Sequence, residues 1–167
     1  MNRFAKLLEK LLFTPSRNAK IVAMAEYFEN TPDPDRGFAL GAITRDLSLN
    51  NLKPTQLRTL TKSRVDPELF DMSYDYVGDM AETISLIWPK HTNHVYEKQR
   101  IPKLGELISA LQTKSKIALQ TYVTELLDCA SVTERWAIIK LVTGGLRVGV
   151  SARLAKTSLA EYSGKDL

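Results

Sequence analysis

The residues best equipped for chemistry sit between Thr143 and Lys156, which read TGGLRVGVSARLAK. Gly144, Gly145 and Gly149 leave the backbone unshielded close to a point where Ser151 can cap a new helix. A helix N-terminus carries unsatisfied N–H groups and about half a positive charge, so amides in this turn can approach an anion directly. That is a geometry for phosphate contact. Arg147, Arg153 and Lys156 add full charges, and Arg153 and Lys156, three apart, share one helix face. The same residues also fit a plain helix-helix corner with solvated bases, and a glycine-rich turn without a Walker lysine is not a nucleotide signature. Other candidates carry less. His91 and His94 have the H-x-x-H spacing of metal ligands, but no cysteine or paired acid stands near them to complete a tetrahedral set, so no metal is expected. Cys129, the lone cysteine, reads as a small buried apolar residue and cannot form an internal disulfide. No nucleophile and base stand in a catalytic arrangement, which disfavours an independent enzyme.

The elements that must position this segment are helices. Phe4, Leu7, Leu8, Leu11 and Leu12 recur at three-to-four spacing until Pro15 ends the pattern. Ser16 or Asn18 can cap a second helix with the apolar face Ile21, Met24, Ala25 and Phe28, which stops before Thr31-Pro32-Asp33-Pro34. A third helix is expected from Asp35 to Leu47. A fourth opens at Pro54 and reaches about Arg64, and a short fifth opens at Pro67. Asp79 and Glu82 form a capping-box pattern for a sixth helix to Trp88, followed by a loop from Pro89 to Arg100. Leu104 to Leu111 and Ile117 to Cys129 supply two more. Ser131 and Glu134 form a second capping box, for a helix through Trp136, Ile139 and Val142 that ends at Gly144-Gly145. No stretch alternates like a strand, so the expectation is an all-α fold: a single compact multi-helix domain of about ten helices over residues 1–167, with both tryptophans in the core.

Composition narrows the class further. A 167-residue chain that is 44% apolar can bury a substantial core. Its apolar runs are short and interrupted by charge, and no secretory leader opens it, so a soluble, cytoplasmic protein without a membrane role is expected. The net charge of +4 is modest, but it is unevenly spread. Lys53 to Arg64 holds four bases and no acid, whereas Asp66, Glu68, Asp71, Asp75, Asp79 and Glu82 follow without a base among them. Residues 98 to 116 and the first twenty are again basic.

Gly145-Leu146-Arg147-Val148-Gly149-Val150-Ser151, downstream of Gly78-Asp79-Met80-Ala81-Glu82-Thr83, resembles the two best-marked stretches of the N-terminal DNA-binding domain of ATP-dependent DNA ligases, especially bacterial ones. Phe4 in the first helix, and Thr14-Pro15-Ser16-Arg17 leading to Lys20, are similar to that domain's first hairpin. The resemblance spans essentially the whole chain. It implies an all-helical domain that joins the catalytic core in encircling nicked duplex DNA and grips the minor groove, serving replication, repair and recombination. It further implies that amides around Gly144, Leu146, Gly149 and Ser151, with the Arg147 side chain, meet phosphates or sugars. Ser16, Arg17 and Lys20 are implicated in the same way, and Lys114 and Lys116 more distantly. Gly78 and Asp79 are assigned to folding. Where the family often carries a further base, this chain has Gly145, so the amides alone must act there.

Ligation requires a K-x-D-G lysine that attacks ATP, and none occurs here. Lys165-Asp166-Leu167 lacks both spacer and glycine. The expectation is therefore a non-catalytic, monomeric domain of a longer ligase, with ATP and Mg2+ needed by the catalytic core of the same polypeptide and no cofactor in this chain. Two rivals remain: a helix-turn-helix regulator built on residues 132 to 162, and a helical module that docks acidic proteins.

Overall fold

Serine and aspartate caps set most of the helix starts. The computed structural model describes residues 1–89 and 100–165. Among them are ten helices and no strand: α1 (Asn2–Phe13), α2 (Arg17–Glu29), α3 (Asp35–Thr44), α4 (Pro54–Lys62), α5 (Pro67–Val77), α6 (Met80–Ile87), α7 (Leu104–Thr113), α8 (Lys116–Cys129), α9 (Val132–Val142) and α10 (Ala152–Ser163). The all-α expectation is met. Ser16, Asp66, Asp79, Ser115, Ser131 and Ser151 each accept an amide of the first turn, satisfying a donor that would otherwise have no partner.

Two expectations about helix ends are corrected. Helix α3 stops before Leu47 because Arg45 enters the left-handed region at φ 63° and sends its amide back to the carbonyls of Ala42 and Gly41. The Ser131–Glu134 capping box forms in both directions, but the Asp79–Glu82 box forms in only one. Asp79 Oδ1 accepts from the Glu82 amide at 2.9 Å, while its Oδ2 takes the Lys140 ammonium of α9 instead.

The helices fall into two compact units, each assembled from segments far apart in sequence, so no single linker marks a boundary. One comprises residues 1–48, 102–108 and 146–167. Here α2 packs on α1 and α10, and α10 also meets α3. Phe4, Leu8, Leu11, Met24 and Phe28 are fully buried, as the three-to-four spacing predicts, whereas Leu12 is exposed and Ala25 only half-buried. The buried Ser158 hydroxyl donates to the Ile21 carbonyl at 2.9 Å, fixing α10 against α2.

The other unit comprises residues 49–101 and 109–145, with α6 packed on α5 and α9. Its core contains a polar network around Asp128, which accepts from Trp88 Nε1 and from Arg64, each at 2.9 Å. Arg135, buried beside it, donates to the Leu127 and Trp88 carbonyls. Trp88 is a core residue as expected. Trp136 is only half-buried, with the Lys140 ammonium over its ring. Cys129 is half-buried, and burial together with Asp128 and Glu125 pushes its thiol pKa up, away from thiolate chemistry. His91 and His94, and the last two residues of Lys165-Asp166-Leu167, lie outside the described residues. Among the described residues no helix is long and apolar enough to cross a membrane, and no group of three metal-ligating side chains gathers.

Candidate nucleic-acid interface

The end of α9 absorbs two of the amides expected to face an anion. Gly144, at φ 68°, donates to the Leu141 carbonyl at 3.1 Å, and Gly145 to that of Lys140 at 3.0 Å. These bonds close the helix in the usual way for a glycine terminus, so both N–H groups are already occupied. The expectation that they contact phosphate is corrected accordingly. Both glycines belong to the unit of α9.

From Leu146 the backbone is irregular and burial alternates along it. Leu146 and Val148 are buried, while Arg147 and Gly149 face out. Among the described residues, no protein acceptor meets the backbone amides of residues 146–151. Six consecutive unpaired N–H groups are unusual, because folded chains pair nearly all of their buried ones and leave the rest to water or a ligand.

Lys20 accounts for the direction in which this segment presents itself. Its ammonium donates to the carbonyls of Val148 at 2.9 Å and Gly149 at 3.0 Å, and the residue is only 8% exposed. In a planar trans peptide the C=O and N–H point opposite ways. With the two carbonyls drawn toward Lys20, the amides of Gly149 and Val150 must point away from it. Lys20 is therefore a positioning residue that clamps the turn to α2 while itself lining the adjoining groove. The same clamp explains Gly149: it sits at φ 65°, and a Cβ there would lie 2.7 Å from the Lys20 Nζ.

Around this clamp the N-termini of α2 and α10 border one open groove of about 290 Å³, lined by Pro15, Arg17, Lys20, Gly149, Ser151 and Arg153. Helix N-termini attract anions, and an acid in the first turn would partly satisfy them. Neither α2 nor α10 has one there. Ser16 and Ser151 use their hydroxyls to cap Ala19 and Leu154, at 3.3 and 3.2 Å. Arg17 and Arg153 are exposed and make no ion pair among the described residues. Arg147 and Lys156 are likewise exposed in the same unit, Lys156 one turn beyond Arg153. The groove thus gathers two partial positive charges, two exposed guanidiniums and the exposed backbone of Gly149 and Ser151, which suits a phosphate or another compact oxyanion.

Lys114 and Lys116 are not placed with this groove. They belong to the other unit, where Lys114 lies over the Tyr122 ring at 5.0 Å and Lys116 opens α8. Gly78 is the left-handed terminus of α5 and Asp79 links α6 to α9, a structural role for both. Pro15 was not singled out by sequence reasoning as a groove residue, although its position before Ser16 and Arg17 could have suggested it.

No curated protein matches the chain. A family model described as DNA ligase N terminus matches residues 1–160. With nearly the whole sequence inside that match and an all-helical fold around a phosphate-suited groove, the chain belongs to the N-terminal domain family of ATP-dependent DNA ligases.

Proposed function

We propose that this chain holds nicked duplex DNA by its sugar-phosphate strands, along the minor groove and without reading bases, and so positions the nick for the catalytic core of an ATP-dependent DNA ligase. The observation that carries this reading is the convergence of two acid-free helix N-termini with the exposed Arg17 and Arg153 on one groove, which Gly149 and Ser151 also line. Phosphate contacts fix register on a duplex but carry no sequence information. Holding the duplex raises the effective concentration of the nick at a tethered active site. ATP and Mg2+ supply the adenylation and phosphoryl-transfer chemistry in that core, and no residue of this chain is assigned to them. Replication, repair and recombination are the settings in which such a ligase acts.

A helix-turn-helix reading fits less well. That motif joins its helices by a three- or four-residue turn, whereas α9 and α10 are separated by residues 143–151 and belong to different compact units. The discriminating experiment is a salt titration of binding to nicked duplex, with random duplex as competitor. Expected are equal competition by unrelated sequences and a log–log salt slope of about −0.9 per phosphate neutralised. Arg153→Gln should weaken binding to all sequences alike and make the slope shallower by about one. Sequence-selective binding, or a slope that Arg153→Gln leaves unchanged, would overturn the proposal.

A further inference from the structure

A second groove in the same unit lies between α1 and α2, about 420 Å³ in volume. Arg3, Lys6 and Lys10 line one side, and Glu26, Tyr27, Asn30 and Thr31 line the other. The three cations recur at i, i+3 and i+7 and form a single stripe along α1. They are only partly neutralised. Lys10 meets Glu26 at 3.2 Å in an exposed pair, Arg3 donates to the Asn30 carbonyl, and Lys6 meets no acid among the described residues. Thr31 is 5% exposed, yet its Oγ1 finds no hydrogen-bond partner. Native structures leave few buried hydroxyls unbonded, and an orphaned one beside a cationic groove points to an absent acceptor.

We infer that this groove binds a second backbone phosphate of the DNA strand, with Arg3 and Lys6 supplying charge and the Thr31 and Tyr27 hydroxyls donating from the opposite wall. A tetrahedral phosphodiester can receive donors from both walls at once, which a planar carboxylate does less well. The spacing also fits. Helix α2 lines the first groove with Arg17 and Lys20 and the second with Ala23, Glu26 and Tyr27. Some seven residues at 1.5 Å each separate the two sets by roughly 10 Å, close to the rise of three base pairs at about 3.4 Å. The inference rests on the proposed DNA-binding function and adds a subsite to it.

The test uses the full chain and a nicked duplex of about 24 base pairs, followed by fluorescence anisotropy from 50 to 200 mM salt. Lys6→Gln, at an exposed position, should weaken binding and remove one phosphate from the salt slope. At −0.9 per phosphate, the affinity lost over that fourfold salt range then shrinks by roughly 3.5-fold. Thr31→Val should weaken binding without altering the slope, since a neutral donor is lost, and Thr31→Ser should restore it. If Lys6→Gln and Thr31→Val both bind as the parent does while Arg153→Gln is impaired, the second site is refuted and the proposed function stands. If Arg153→Gln is silent as well, the DNA-binding reading fails and takes the second site with it. If polyglutamate at matched charge displaces the duplex as effectively as competitor DNA, and does so through Lys6, the groove serves acidic proteins and the inference is overturned.

Discussion

Replacing Gly149 with alanine should cost more than its backbone angle alone explains. At φ 65° an alanine loses about 1–2 kcal/mol to the clash between its Cβ and the following carbonyl. Here the new methyl would also stand 2.7 Å from the Lys20 ammonium, which must move. That ammonium holds two carbonyls, and a hydrogen bond to a charged group contributes roughly 1.5–3 kcal/mol, so losing one of them brings the total to about 2.5–5 kcal/mol. Gly78→Ala is the matched control. Gly78 sits at φ 75° with no atom within 4 Å of the place a methyl would take, so only the backbone cost of about 1–2 kcal/mol applies. Urea denaturation of both variants measures the difference, and anisotropy on nicked duplex should show weaker binding for Gly149→Ala only. Equal destabilisation of the two variants, with unchanged DNA affinity, would refute the clamp between Lys20 and the turn.

Two further outcomes follow from the polar contacts of the other unit. Asp128→Ala removes the acceptor shared by the half-buried Arg64 and the buried Trp88 indole, and leaving a buried donor without its acceptor costs roughly 1–3 kcal/mol; an unfolding midpoint unchanged from the parent would contradict that network. For Asp79, burial pushes the pKa up, but the Lys140 ion pair and the Glu82 amide outweigh it and hold the carboxyl below its ordinary 3.8. Its contribution is therefore present above that ordinary value and disappears as pH falls through the lowered folded value, so the stability gap between the parent and Lys140→Met should close in acid. A gap that is constant with pH would show that the pair does not govern this carboxyl.

Much of the fold was legible because it depends on local rules. The spacing of Phe4, Leu7, Leu8 and Leu11 gives α1, and serine or aspartate followed by a free first turn gives the starts of α2, α6, α9 and α10. Where a helix stops was less legible, since Arg45 adopts a left-handed angle that its side chain does not advertise. At the site, Arg17, Gly149, Ser151 and Arg153 were named from sequence and come together in one groove. The roles of Lys20, Gly144 and Gly145 were not legible. Lys20 reads locally as a solvated cation at a helix start, and only a contact spanning 128 residues in sequence turns it into a clamp. The Gly144 and Gly145 amides read as available until the closing turn of α9 is seen to occupy them. The interleaving of the two units is hidden for the same reason, because each is built from distant segments.

The proposed DNA binding depends on the unpaired amides of residues 146–151 receiving a phosphate. Titrating the 15N-labelled chain with nicked duplex and following backbone amide shifts tests this most directly. The largest changes should fall on residues 147–153 and on the start of α2 at Arg17, while Gly144 and Gly145, held by the end of α9, move less. Changes concentrated elsewhere, for instance on the exposed Leu69, Met72 and Tyr76 of α5, with the 147–153 amides undisturbed, would contradict it.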